Sequence, residues 1–415
     1  VTMIRIVDAK AVGSILTRKA ARFAQAEAVV RPILEDVRKR GDRALLEYAR
    51  KFDGFSGKTV AVADAELAAA AKRLSATFRK AVKTAAQNIR TFARLQMPQA
   101  KQIVVAPGVK LGQIVRPLDS VAAYIPAGRF PLPSTVLMTV IPAQVAGVAT
   151  ICVATPRAVD EIFGAAALLG RTKVFQMGGA QAIAALAYGT KTVPKADRIV
   201  GPGNLYVAAA KKLLAGETGI DFIAGPTEIL ILAEEGNPVW IAADMLAQAE
   251  HDADASAVLL TTSKRLARAV AKEIDRQLAD LPTAATARAA IANNSVIVLV
   301  DSMEQAVEIS NRFAPEHLSI PDAKYLNAIR HAGSIFIGAL SPEAAGDYAS
   351  GPNHVLPTSG AARLRGGLSA ADFVKVISTQ QLSAAGLKRL SASITTLARA
   401  EGLEAHARSV EVRIG

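Results

Sequence analysis

Gln248 and His251 stand three apart in the run Asp244-Met245-Leu246-Ala247-Gln248-Ala249-Glu250-His251-Asp252. Ala, Leu, Gln and Glu are good helix formers and Pro238 suits a first helical position, so the run predicts a helix from about 238 to 252. Spacing of three puts both side chains on one face. An amide oxygen and an imidazole nitrogen so placed can hold a metal ion if other ligands arrive from elsewhere. A solvated polar face would have the same spacing. The chain has only five histidines, and three of the others also fall in short polar or glycine-rich segments. Ala314-Pro315-Glu316-His317 pairs a carboxylate with an imidazole, and either can act as a base near neutrality. A buried, hydrogen-bonded His at a helix-to-strand corner is the plainer reading. The loop Gly346-Asp347-Tyr348-Ala349-Ser350-Gly351-Pro352-Asn353-His354 is rich in turn formers and carries an Asp and a His. Glu401 and His406 lie five apart near the C-terminal end, and His331 reads as a dipole partner at a helix end.

A second kind of chemistry is suggested by three glycine-lined or turn-rich loops after predicted strands: Tyr124-Ile125-Pro126-Ala127-Gly128, Met177-Gly178-Gly179-Ala180-Gln181 and Gly201-Pro202-Gly203-Asn204. Bare N–H groups at a helix start attract anions. None is a G-x-G-x-x-G, so the standard dinucleotide fingerprint is absent.

These residues need a scaffold. A chain of 415 residues holds two or three domains, and a composition 51% hydrophobic but only 5% aromatic fits α/β better than a β sandwich. Residues 1 to 100 read as mostly helical, with Asp42 capping a helix that Asp53-Gly54 ends. From about 109, strands near Val121–Ile125, Thr150–Val153, Lys173–Gln176 and Arg198–Val200 alternate with helices. A second series has strands near Glu228–Ala233, Ala257–Thr261, Ser295–Val300 and Ser334–Ile337. The alternation predicts parallel, doubly wound sheets, with ligands in loops at the carboxyl ends of strands. Residues 369 to 415 read as a helical, basic docking tail ending in a short strand, Val410–Ile414. The net charge of +13 is scattered and lacks interleaved aromatics, which argues against a nucleic-acid surface. One cysteine, Cys152, excludes an intramolecular disulfide framework and a Cys-rich zinc site. With no secretory pattern or membrane span, a cytoplasmic location is expected.

The motifs together resemble the histidinol dehydrogenase family. They are Tyr-Ile-Pro at 124–126, Gly-Gly-Ala-Gln-Ala-Ile-Ala-Ala-Leu-Ala at 178–187, Gly-Pro-Gly-Asn at 201–204, Ala-Gly-Pro-Thr-Glu at 224–228, Gln-Ala-Glu-His at 248–251, Pro-Glu-His-Leu at 315–318 and the stretch 346–358. The resemblance implies zinc held by Gln248, His251, Asp347 and His406, and an acid–base pair of Glu316 and His317. It implies substrate contacts from Thr227, His317, Glu401 and the metal ligands, and NAD contacts from Tyr124, Gln181 and Asn204. It also implies two incomplete dinucleotide-binding-like domains: 23–123 with 227–368 carrying the metal and acid–base motifs, and 124–226 binding NAD. Residues 1–22 form an N-terminal segment, and 369–415 dock on the partner in a homodimer with shared sites. The implied reaction takes L-histidinol through histidinal to L-histidine. A dehydrogenase of another small polar alcohol, such as a sulfonated diol, and a zinc hydrolase are the competing readings. Three places depart from the usual pattern: Ala127 where Gly is usual, Thr227 where Ser is also common, and Leu364-Arg365-Gly366 where Phe-Ser-Ser is usual.

Overall fold

The computed structural model describes residues 3–11, 13, 23–127, 130–223 and 225–415. Gly128 and Ala224 of the motifs above, and most of the segment 1–22, lie outside the described residues.

Two parallel sheets and one antiparallel sheet organise these residues. In the first, strands β4 (Ser120–Tyr124), β5 (Thr150–Thr155), β6 (Lys173–Gln176), β7 (Arg198–Val200) and β8 (Gly219–Ile220) run in the order β6-β5-β4-β7-β8. In the second, β1 (Arg5–Asp8), β9 (Glu228–Leu232), β10 (Ser256–Thr261), β11 (Val296–Leu299), β12 (His317–Ile320) and β13 (Ser334–Ile337) run β1-β11-β10-β9-β12-β13. In each, the main series starts in the middle (β4, β9), winds to one side, then crosses to the other, and in the second sheet β1 adds an edge beside β11. Helices cover both faces, so strands such as Glu-Ile-Leu-Ile-Leu in β9 are buried throughout and read as continuous apolar runs. The third sheet joins β2 (Lys101–Ala106), β3 (Val109–Pro117) and β14 (Val374–Leu382) antiparallel.

Several expectations need correction. The helices between Phe23 and Leu95, grouped above with 227–368, pack on the helices of the first sheet. Their apolar stripes, among them Val30, Leu34 and Val37, belong to the cores built on β4–β8. The N-terminal region is also not wholly helical, since β1 pairs with β11. The tail holds a nine-residue strand, β14, and Val410–Ile414 is the end of the helix Glu404–Ile414 rather than a strand. β-branched residues misled there: Val410 and Ile414 are four apart, which also fits a helical stripe. Asp42 is the first residue of its helix, with Gly41 at the cap, and Gly54 closes it in the left-handed conformation at φ 64°. The turn before His331 is a short 3-10 helix, Ala323–Ala328, that ends before reaching it.

Candidate active site

The two sheets present opposite edges to the chemistry. In the first sheet the three loops follow the carboxyl ends of β4, β6 and β7, and the change of winding falls between β4 and β7, where ligands are expected. Tyr124 ends β4, and its hydroxyl accepts from the Gly179 N–H at 3.1 Å. Burial pushes that phenol up to about 12, so it stays neutral. Gln181 is buried and donates from Nε2 to Asp53 Oδ2 at 3.1 Å, and Asp53 also accepts from Gly178 N at 3.0 Å. Asn204 is the exposed N-cap of the helix Leu205–Leu214, accepting from the N–H groups of Tyr206 and Val207. Gly201 is obligatory: at φ 107° a Cβ would lie 2.2 Å from the Tyr124 carbonyl oxygen. Its backbone is fixed by a buried ion pair, with Asp221 accepting from its N–H at 2.7 Å and Lys211 donating to its carbonyl at 3.0 Å.

In the second sheet the candidate residues lie at the amino ends of the strands, opposite to the expected edge. Thr227 precedes β9, Glu316 precedes β12, and His317 opens β12 in register with Ile229. The helix Pro238–Ala249, started by Asn237 as N-cap and Pro238 in its first turn, returns antiparallel to β9. Its C-terminal end, with Gln248, therefore arrives at the same edge. His251 lies just past the helix end, and its N–H reaches the Gln248 carbonyl.

Thr227 is the hub. Its hydroxyl is 2.6 Å from Glu316 Oε2 and 2.5 Å from the Gln248 amide, while the Glu228 N–H donates to Glu316 Oε2 at 2.9 Å. His317 Nδ1 donates to the Glu228 carbonyl at 3.2 Å, which in the neutral ring leaves the lone pair on Nε2. That Nε2 is buried without a hydrogen-bond partner, 3.6 Å from Asp347 Oδ1. Burial alone would lower the His317 pKa, but Glu316, then Asp347 and Glu343, outweigh it and carry it up to about 10. Burial raises the Glu316 carboxyl, and pushes Glu343 up to about 8 and Asp244 up to about 6. Asp347 goes the other way: burial is outweighed by the hydrogen bond and charge of His317. The pocket thus concentrates carboxylates, with imidazoles as their nearest cationic partners, and would be relieved by a bound cation.

His251, Glu343 and Asp347 each offer a ligand atom, all within 4.8 Å of one another. This donor set of one imidazole and two carboxylates, with the Gln248 amide beside it, fits zinc. Glu343 was missed in the sequence. Its signal was spacing: it stands four before Asp347 on the short helix Glu343–Tyr348, on the same face. Asp53, behind the Gly178–Gln181 loop, was read only as a helix end. The structure does not bring Glu401 and His406 to this site within one chain. Both are exposed on the two C-terminal helices, whose main packing is on each other.

The loop 346–358 ties this site to the first sheet's helices. His354, partly buried, has Nδ1 at 2.8 Å from the Asp347 carbonyl and Nε2 at 3.1 Å from Thr135 Oγ1. Asn353 donates to the Met138 carbonyl at 2.6 Å, and Gly225 N donates to Thr358 Oγ1 at 2.6 Å. Of the departures, Ala127 is buried in the core behind the loop. Leu364 is exposed, while Arg365 donates to the Asp221 carbonyl and the Asp372 carboxylate. No helix among the described residues is long and apolar enough to cross a membrane.

A family model for histidinol dehydrogenase matches residues 16–414. A histidinol dehydrogenase of Synechococcus is 47% identical over 399 residues, 93% of this chain and 92% of that protein. One of Geobacter sulfurreducens is 46% identical over 412 residues, 97% of this chain and 96% of that protein. The crystal structure of histidinol dehydrogenase from Elizabethkingia anophelis superposes with a TM-score of 0.95 at 37% identity, covering 100% of this chain and 98% of that one.

Proposed function

The chain belongs to the histidinol dehydrogenase family, NAD-dependent oxidoreductases of the last steps of histidine biosynthesis, and from that premise we propose how its own residues divide the chemistry. The substrate is histidinol, oxidised to histidinal and then to histidine. When bound, NAD supplies the hydride acceptor, and zinc supplies a fixed positive charge that holds the substrate's amine and imidazole. Gln248, His251, Asp347 and the partner subunit's copy of His406 hold the metal. Tyr124, Gln181 and Asn204 line the cofactor site, and the two sheets act as incomplete dinucleotide-binding-like domains. Thr227 and a Glu401 contributed by the partner bind the substrate.

His317, held protonated by the carboxylates around it, has its pKa lowered and its Nε2 freed once a metal cation lies beside them, and Nε2 then takes the proton of the alcohol as hydride leaves. Its Nδ1–H is held by the Glu228 carbonyl, which fixes the tautomer with the lone pair facing inward. Histidinal must then be hydrated before a second hydride can leave. Glu316 accepts a proton from that water, and the Thr227 hydroxyl and Glu228 N–H on Oε2 leave Oε1 for the task. Two oxidations in one pocket account for a base and a water-activating carboxylate being sequence neighbours. The observation that carries the reading is the buried, unpartnered Nε2 of His317 facing the metal-binding residues. Histidinol tested against a sulfonated diol decides the substrate: the higher kcat/KM belongs to histidinol, and a preference for the diol would sink the assignment.

The shared site is supported by the arm-like packing of the C-terminal helices and by exposed Leu397, Leu403 and Val412 along them. Co-expressed His251→Ala and His406→Ala chains test it. Equal reassortment makes about half the dimers mixed, each with one intact site of two, so activity returns to about a quarter of wild type. If each tail serves its own chain, every site keeps a lesion and activity stays near zero. A cytoplasmic setting suits the reduced, buried Cys152.

A further inference from the structure

We propose that Glu343 is itself a ligand of the metal, so that a single chain offers Gln248, His251, Glu343 and Asp347 before the partner's tail arrives; this rests on the zinc reading above. Glu343 is 3% exposed, and one of its carboxylate oxygens lies within 4.8 Å of ligand atoms of both His251 and Asp347. Thr227 adds a second observation. Its hydroxyl has one proton and two neighbours, Glu316 Oε2 at 2.6 Å and the Gln248 amide at 2.5 Å. With Glu316 a carboxylate, as a base must be, that proton belongs to Glu316. Gln248 then presents its NH2 to Thr227 and its oxygen to Glu343.

In that orientation the amide oxygen is 3.1 and 3.2 Å from the two carboxylate oxygens of Glu343. Two acceptors at this distance repel unless a cation or a carboxyl proton lies between them. Ligand atoms of a four-coordinate zinc with bonds of about 2.0–2.1 Å are about 3.3 Å apart, so the spacing is that of neighbouring ligands. If the amide turns over, its NH2 donates to Glu343 and its oxygen faces Thr227. The Thr227 proton must then choose between that oxygen and Glu316. The Glu316–Thr227–Gln248 chain in its first orientation therefore calls for positive charge on the Glu343 side, a carboxyl proton or a metal cation, and a direct measurement of metal separates the two. The His317 Nε2, buried and without a partner, faces the same space through Asp347.

The test measures metal rather than turnover. Zinc affinity is obtained by chelator competition, and the visible spectrum of the cobalt-substituted dimer reports the ligand set. Glu343→Gln is expected to weaken zinc by about tenfold or more and to change the cobalt absorption. Wild-type affinity and spectrum in that variant overturn the proposal. Weaker binding with an unchanged spectrum also overturns it, because Glu343 would then only position Gln248. A second variant guards against misfolding of the first: His406→Ala, altered at an exposed position, still takes up one cobalt ion per chain. Loss of all binding in His406→Ala contradicts a set of ligands held by one chain. Wild-type protein that binds no zinc at all would instead remove the zinc reading itself.

Discussion

Replacing Glu316 by Gln separates the two half-reactions. Glu316 Oε2 accepts from the Thr227 hydroxyl and the Glu228 N–H, while the carboxyl is 95% buried. An amide oxygen in the Oε2 position can accept both bonds, so the side chain stays in place. What is lost is the capacity to take a proton from water. General-base catalysis contributes about 10²–10⁴-fold, or about 3–5 kcal/mol of barrier. The alcohol step depends on His317 Nε2, 3.6 Å from Asp347 on the far side of the ring, and loses only the electrostatic support of the Glu316 charge. Histidinal oxidation should therefore fall by on the order of 10² or more, while the first hydride transfer falls by about tenfold or less. Single-turnover NADH formation from histidinol and from histidinal, assayed separately, measures both. Equal losses in the two would refute the division of labour.

Other outcomes follow from the same geometry. His251→Ala leaves the chain's own ligand set with oxygen donors only, which suit zinc poorly, so zinc content by elemental analysis and activity should fall together. Gly201→Ala places a Cβ 2.2 Å from the Tyr124 carbonyl at φ 107°. A loss of roughly 1–3 kcal/mol in denaturant unfolding and a raised KM for NAD are expected, and unchanged values for both would show the loop to be slack. Burial pushes the Cys152 thiol up to about 11, so the folded protein should resist iodoacetamide at neutral pH and react once denatured. Rapid labelling of native protein, followed by mass spectrometry, would contradict that burial.

The sequence carries some of this architecture openly and hides the rest for identifiable reasons. The β-α alternation from 120 to 214 and from 228 to 313 is legible because fully buried strands are short apolar runs and most of the helices have a side-chain cap or a glycine stop, Ala284–Asn294 having neither. β12 is hard to separate from its corner, since His317 and Ser319 interrupt the short apolar run His-Leu-Ser-Ile. β2 and β3 form a hairpin whose exposed Ile103, Val104 and Val105 give no alternation, and β14 pairs with β3 across more than 250 residues of chain, which no local pattern reports. The partition of 23–95 depends on which sheet its helices cover, and an amphipathic stripe does not name its partner. In the site, Gln248, Glu316, His317 and Asp347 stood out by type and motif. Glu343 and Asp53 did not, because their roles exist only through Gln248 and through the Gly178–Gln181 loop.

One pocket performs two oxidations with one base and one water-activating carboxylate. The direct measurement is the amount of NADH formed per histidinol consumed by the purified protein with zinc and NAD. An alcohol carried to the acid gives up two hydrides, so about two NADH per histidinol are expected, with histidine as the product. One NADH per histidinol, with histidinal released, would contradict it.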